Sequence, residues 1–135
     1  MESSKGGDDG RPLVALTVGD PAGIGPEVAL AALRDPVVRS RMRILLIGPG
    51  RLRPDDVDSE GSGADSTWVD TGGPSTWKMG EAQAECGRAA IAALRRGHDL
   101  AIDGRVDALV TGPVSKLALH LAGERPHDPG HTLLV

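Results

Sequence analysis

Three short apolar runs in this chain end at the same kind of punctuation. Leu13–Val18 runs into Gly19-Asp20-Pro21, Arg43–Ile47 into Gly48-Pro49-Gly50, and Val106–Val110 into Thr111-Gly112-Pro113. Runs this short and this apolar suit strands buried on both faces, and Gly and Pro are strong stops. Helical patterns lie between them. Pro26 and Glu27 open one that continues to about Arg34, with Pro in the first turn and Glu at the positive helix end. Val28, Leu30, Ala31 and Leu33 give it apolar coverage. Gly80–Asp103 carries the longest pattern, with Ala82, Cys86, Ala89, Ala90, Ala93, Leu94 and Ala101 at helical spacing. Gly87 and Gly97 weaken it by roughly 1 kcal/mol each relative to Ala. Val114–Ala122 reads as a short helix stopped by Gly123. Residues 51–66 are polar and aperiodic and read as a loop, and Thr67–Asp70 reads as a short strand. Strand–helix alternation of this kind predicts an α/β fold, a mostly parallel sheet with helices on both faces.

Composition narrows the function. The 135 residues include two Trp but no Phe or Tyr, so Ala, Val, Leu and Ile must fill the core. Stacking platforms for single-stranded nucleic acid need aromatics, and a net charge of −4 also argues against a nucleic-acid surface. No apolar run approaches the ~18 residues of a membrane span. Met1–Pro12 is polar and Gly-rich, which predicts a mobile tail rather than a secretory signal. Cys86 stands alone, so an internal disulfide is impossible, and a cytoplasmic setting is the natural expectation. At this length the expectation is one domain at most, or part of a larger one, occupying residues 13–135 after the tail.

Ligands of such sheets sit beyond the carboxyl ends of the strands, where three segments fall: Gly19–Glu27, Gly48–Gly50 and Thr111–Lys116. In the first, Gly23 and Gly25 flank Ile24 just before a helix start, so backbone N–H groups could approach an anion. The segment is not the dinucleotide fingerprint, since the third glycine is missing, and the alternative is a tight turn that needs glycine for positive φ. In the second motif, Thr111-Gly112-Pro113-Val114-Ser115-Lys116, Lys116 sits on a first helical turn, where the dipole disfavours a cation. That placement suggests an anionic neighbour; the alternative is an exposed surface lysine. Gly130-His131-Thr132 adds an imidazole beside a hydroxyl. His127, Asp128 and His131 could be imagined around a metal, but their spacing matches no established ligand motif. His98, His120 and Cys86 fall on helical stretches and read as structural.

Taken in order, GDPAGIGPE after a first strand, DALVTGPVSK, and GHT resemble the 4-hydroxythreonine-4-phosphate dehydrogenase family of pyridoxal phosphate (vitamin B6) biosynthesis. MGEAQAECGRAAIAAL is also similar to the start of that family's long helix. The resemblance covers about Leu13 to Val135. It implies the isocitrate/isopropylmalate dehydrogenase type of fold, two α/β domains about a cleft, and a homodimer. It implies oxidation by NAD or NADP of a secondary alcohol in a small phosphorylated hydroxy acid, followed by loss of its carboxyl group. A divalent metal (zinc, magnesium or cobalt) would polarise the alcohol oxygen. On this resemblance His131 and Thr132 bind substrate. Asp20, Gly23 and Gly25 are candidates for the cofactor, and Lys116 is the catalytic candidate. The family's metal-binding histidines match no position of this chain, whose length is under half the family's, so the expectation is an inactive amino-terminal portion. Residues 61–77 match the family poorly. Relatives act on threonate or erythronate 4-phosphate or on aromatic cis-dihydrodiols, and these substrates stay open. So does a reading from another class, a non-catalytic remnant that binds a small anion or a partner chain.

Overall fold

The computed structural model describes residues 9–124. Its elements are β1 (Leu13–Thr17), α1 (Gly25–Arg34), α2 (Pro36–Arg41), β2 (Arg43–Gly48), β3 (Asp58–Ser59), β4 (Ser66–Asp70), α3 (Ala84–Ile102), β5 (Ala108–Thr111) and α4 (Lys116–Leu121). A single 3-10 turn occupies Gly50–Leu52. The strands form one sheet in the order β3-β4-β2-β1-β5, with every neighbouring pair parallel. The expected α/β architecture is present.

Alternate strand residues point to opposite faces, and each face has its own core. Ala15, Leu45, Ile47 and Val69 pack with Ala93 and Leu100 of α3, whereas Ile44, Leu46 and Trp68 pack with Ala29 and Leu33 of α1. Right-handed crossovers explain the split. The chain leaves β1 toward β2 by way of α1, and returns past β1 to β5 by way of α3, so the two helices take opposite faces. Trp68 is the largest fully buried side chain, and its indole Nε1–H donates to the Gly48 carbonyl at 3.2 Å.

Several boundaries differ from the sequence expectation, each for a local reason. Helix α3 starts at Ala84 rather than Gly80, because Gly80 has a positive φ of 81° and Gln83 is extended. The Gln83 side chain is occupied in the preceding turn, accepting from the Lys78 N–H and donating to the carbonyls of Lys78 and Glu81. Its buried stripe ends at Leu100, not at the exposed Ala101. In α1 the buried positions are Gly25, Pro26, Ala29 and Leu33, while Val28 is half exposed. Helix α2 was not anticipated, although Asp35 caps it through the N–H groups of Val37 and Val38, with Pro36 as its first residue. The loop expected over residues 51–66 contains the short edge strand β3 and the start of β4. Strand β5 begins two residues later than expected, at Ala108. Residues 9–12, expected in a tail, are held at the sheet margin. The Arg11 guanidinium pairs with Asp9 and with Asp65 and donates to the Arg39 carbonyl at 2.8 Å. The Arg11 hydrogen bonds lower the pKa of Asp9.

Candidate functional site

The two glycine-rich motifs, far apart in sequence, meet where the strand order reverses. Strands β1 and β5 are neighbours, and Thr17 pairs with Thr111. The Gly112 N–H donates to the Thr17 carbonyl at 2.9 Å and lies 3.1 Å from its hydroxyl. The Asp20 N–H then donates to the Pro113 carbonyl at 3.0 Å, so the β1–α1 and β5–α4 loops are stitched by their backbones. Such a reversal is the usual ligand position in open α/β sheets.

Only missing side chains allow this stitching. Gly19 has φ of 76°, and a Cβ there would strike the Pro113 carbonyl. A Cβ on Gly112 would lie 2.5 Å from the Thr17 carbonyl oxygen and 2.8 Å from the Val18 carbonyl carbon. A Cβ on Gly25 would strike the Val18 carbonyl oxygen. Gly23 is different, since the nearest atom to its Cβ would be the Asp20 carbonyl oxygen at an ordinary 3.6 Å. Positive φ is therefore required at Gly19, whereas Gly23 and Gly25 have none. Gly25 serves close approach.

Asp20 is 6% exposed. Its Oδ1 accepts the Ala22 N–H at 2.8 Å, and its carbonyl accepts the Gly23 N–H at 3.1 Å. The segment before α3 joins the same loop, for the Gly80 N–H donates to the Ala22 carbonyl at 2.7 Å. Cys86, in the first turn of α3, is fully buried beside it. Burial pushes its thiol pKa up, and the negative charge of Asp20 adds to the rise. Ile24 caps α1 without a side-chain hydrogen bond, which leaves first-turn N–H groups for another acceptor.

Lys116 is the exposed first residue of α4, whose cap is the Ser115 hydroxyl, accepting the Ala118 N–H at 3.1 Å. Among the described residues it has no ion pair and no bond to Asp20, so the expected anionic neighbour is not found there. His131 and Thr132 lie outside the described residues, as do His127 and Asp128. Among the described residues no group of three or more His, Cys, Asp or Glu side chains could hold a metal ion. No described helix is long and apolar enough to cross a membrane.

A fourth strand end adds a place that is not among the three segments named from the sequence. Strand β4 also ends at a Gly/Pro cluster, Thr71-Gly72-Gly73-Pro74, and this loop forms one wall of an open groove of about 390 Å³. Glu85, Arg88, Ala89 and Ala92 of α3 form the other wall. The signal was the same punctuation that marked the other strand ends.

Comparison with known proteins places this arrangement. The family model described as pyridoxal phosphate biosynthetic protein PdxA matches residues 29–135. A candidate D-threonate 4-phosphate dehydrogenase of Symbiobacterium thermophilum is 40% identical, over 92% of this chain and 42% of its own length. The 4-hydroxythreonine-4-phosphate dehydrogenase of Desulforapulum autotrophicum is 34% identical, over 94% of this chain and 42% of its own. The crystal structure of a 4-hydroxythreonine-4-phosphate dehydrogenase from Burkholderia phymatum superimposes with a TM-score of 0.78 at 30% identity, covering 92% of this chain and 42% of that one. The chain thus spans about 42% of the length of these relatives. The match of that family model to residues 29–135, most of the chain, makes it a member of the PdxA family.

Proposed function

We propose that the protein carrying this chain is a nicotinamide-dependent dehydrogenase acting on 4-phosphohydroxy-L-threonine in pyridoxal phosphate formation. In that reaction the secondary alcohol undergoes a two-electron oxidation with its proton passing to solvent, giving a β-keto acid; NAD or NADP, when bound, would supply the hydride acceptor. That acid loses CO₂ as its C–C bond breaks, and the electron pair left behind is protonated. The observation that carries the reading is the backbone stitching of Gly19-Asp20 to Gly112-Pro113 at the reversal of the sheet. This chain's own residues hold that crevice in one shape. Asp20, Gly23 and Gly25 would border NAD or NADP at this crevice. Lys116 stands at the same strand end, where its charge attracts an anionic substrate. The resemblance supports a homodimer, a divalent metal held outside the described residues, and a cytoplasmic setting. A second substrate, threonate 4-phosphate, is favoured by the 40% identity to the Symbiobacterium protein.

His131 and Thr132 supply two adjacent donors to the substrate's anionic groups. The test is His131→Ala against His127→Ala in the complete protein, with substrate titration and bound metal both measured. Charge-assisted hydrogen bonds are worth roughly 1.5–3 kcal/mol. His131→Ala should therefore weaken substrate binding by about tenfold to a hundredfold with metal content unchanged. If it strips the metal, or if His127→Ala is the more damaging change, the assignment is wrong.

A further inference from the structure

We propose that the groove between the β4–α3 loop and helix α3 binds a small anion bearing hydroxyl groups, of the sugar-phosphate or phosphorylated hydroxy-acid class. The site shares no lining residue with the stitched loops, and it does not depend on turnover. The groove lies beyond the carboxyl end of β4, on the side of the sheet where α/β folds take ligands. Its volume of about 390 Å³ suits a small molecule.

The loop wall is rigidly placed. The Asp70 carboxylate accepts the N–H groups of Gly50 at 2.7 Å and Gly72 at 2.8 Å, tying this strand end to the turn after β2. Gly73 passes so close that a Cβ there would lie 3.2 Å from Pro49 and 3.5 Å from the Ala89 methyl. The Thr71 hydroxyl at this wall is buried with no hydrogen-bond partner among the described residues. The helix wall carries Glu85 and Arg88, three residues apart and on one face. Opposite charges at that spacing ordinarily pair on a helix. Among the described residues these two pair neither with each other nor with any other group, and both line the groove.

This pair selects its ligand. The Arg88 guanidinium offers a planar fork to a phosphate or carboxylate. The Glu85 carboxylate repels a bare anion but accepts hydrogen bonds from hydroxyl groups. Together they favour an anion that carries hydroxyls over inorganic phosphate. Ala89 and Ala92 line the helix wall without an aromatic surface, so the wall offers no stacking platform for a base.

The experiment is an NMR titration of the isotopically labelled 135-residue chain with ribose 5-phosphate, erythronate 4-phosphate and inorganic phosphate. Saturable shifts are expected at the Gly72 and Gly73 amides and at the Arg88 side chain, with either hydroxylated probe binding more tightly than phosphate. The tighter of the two hydroxylated probes tells a sugar phosphate from a phosphorylated hydroxy acid. Arg88→Gln should weaken binding by about tenfold or more, and Arg88→Lys by less. Glu85→Gln should remove the preference for hydroxylated probes by tightening phosphate. Both positions are exposed, so an unchanged spectrum elsewhere verifies the fold. The proposal is overturned if no probe gives saturable shifts at the groove, if Arg88→Gln binds as the parent does, or if phosphate binds as tightly as the hydroxylated probes.

Discussion

A single methyl group separates the two glycines that flank Ile24. Gly25 has the Val18 carbonyl where a Cβ would go, whereas Gly23 has room for one. Gly25→Ala is predicted to destabilise the chain by roughly 2–3 kcal/mol, the cost of overpacking. Gly23→Ala should stay within about 0.5 kcal/mol. Denaturant midpoints of the two variants check this, and equal midpoints would refute the close-approach reading. Cys86 makes the second prediction at this scale. Its pKa is raised in the folded state by burial and by Asp20. The unfolded chain then loses the thiol proton first, so stability is full below the unfolded thiol pKa of about 8.5 and falls as pH rises from there through the folded value. Melting temperatures above about pH 8.5 should drop in the parent and flatten in Cys86→Ser.

At the scale of elements, Gly87 reverses a propensity argument. Helix propensity alone says that Gly87→Ala gains about 1 kcal/mol. The structure places the Ala118 carbonyl of α4 where that Cβ would sit, and the Ala122 methyl 3.1 Å away. Gly87→Ala is therefore predicted to lose about 1–3 kcal/mol and to expose α4 to early proteolysis. A gain in stability would contradict the packing. The same contrast explains how much of the fold was legible. Strands β1, β2 and β5 could be read because each couples an apolar run to a Gly/Pro stop, a wholly local pattern, whereas the two polar residues of β3 carry no such run. The late start of α3 could not, because it depends on Gln83 binding the backbone of Lys78 and Glu81 rather than capping a helix. Helix α2 carried a local signal in Asp35-Pro36, but none of its six residues is fully buried and only Val38 packs partly against the core, so no apolar period marked it.

For the whole molecule, the order of the sheet decides what the motifs mean. The sequence displays Gly19–Glu27 and Thr111–Lys116 as separate loops some ninety residues apart. Their union needs the chain to pass β2 and β4 and return to the far side of β1, which no local pattern encodes. The groove beside Arg88 was hidden for the same reason, as its walls come from a loop and a helix that only the fold apposes. Strand β5 is exposed along most of its length, and Val110, Leu117 and Leu121 around it are each at least half exposed. A parallel strand is ordinarily covered on both faces.

The most direct measurement is nicotinamide reduction by the complete protein that carries this segment, given NAD or NADP, a divalent metal, and either 4-phosphohydroxy-L-threonine or threonate 4-phosphate. The account predicts reduced nicotinamide and CO₂ in equal amounts with at least one of the two acids, and none when the phosphate is removed from the substrate. Binding of both nucleotide and acid with no reduction of the nucleotide by either one would contradict it.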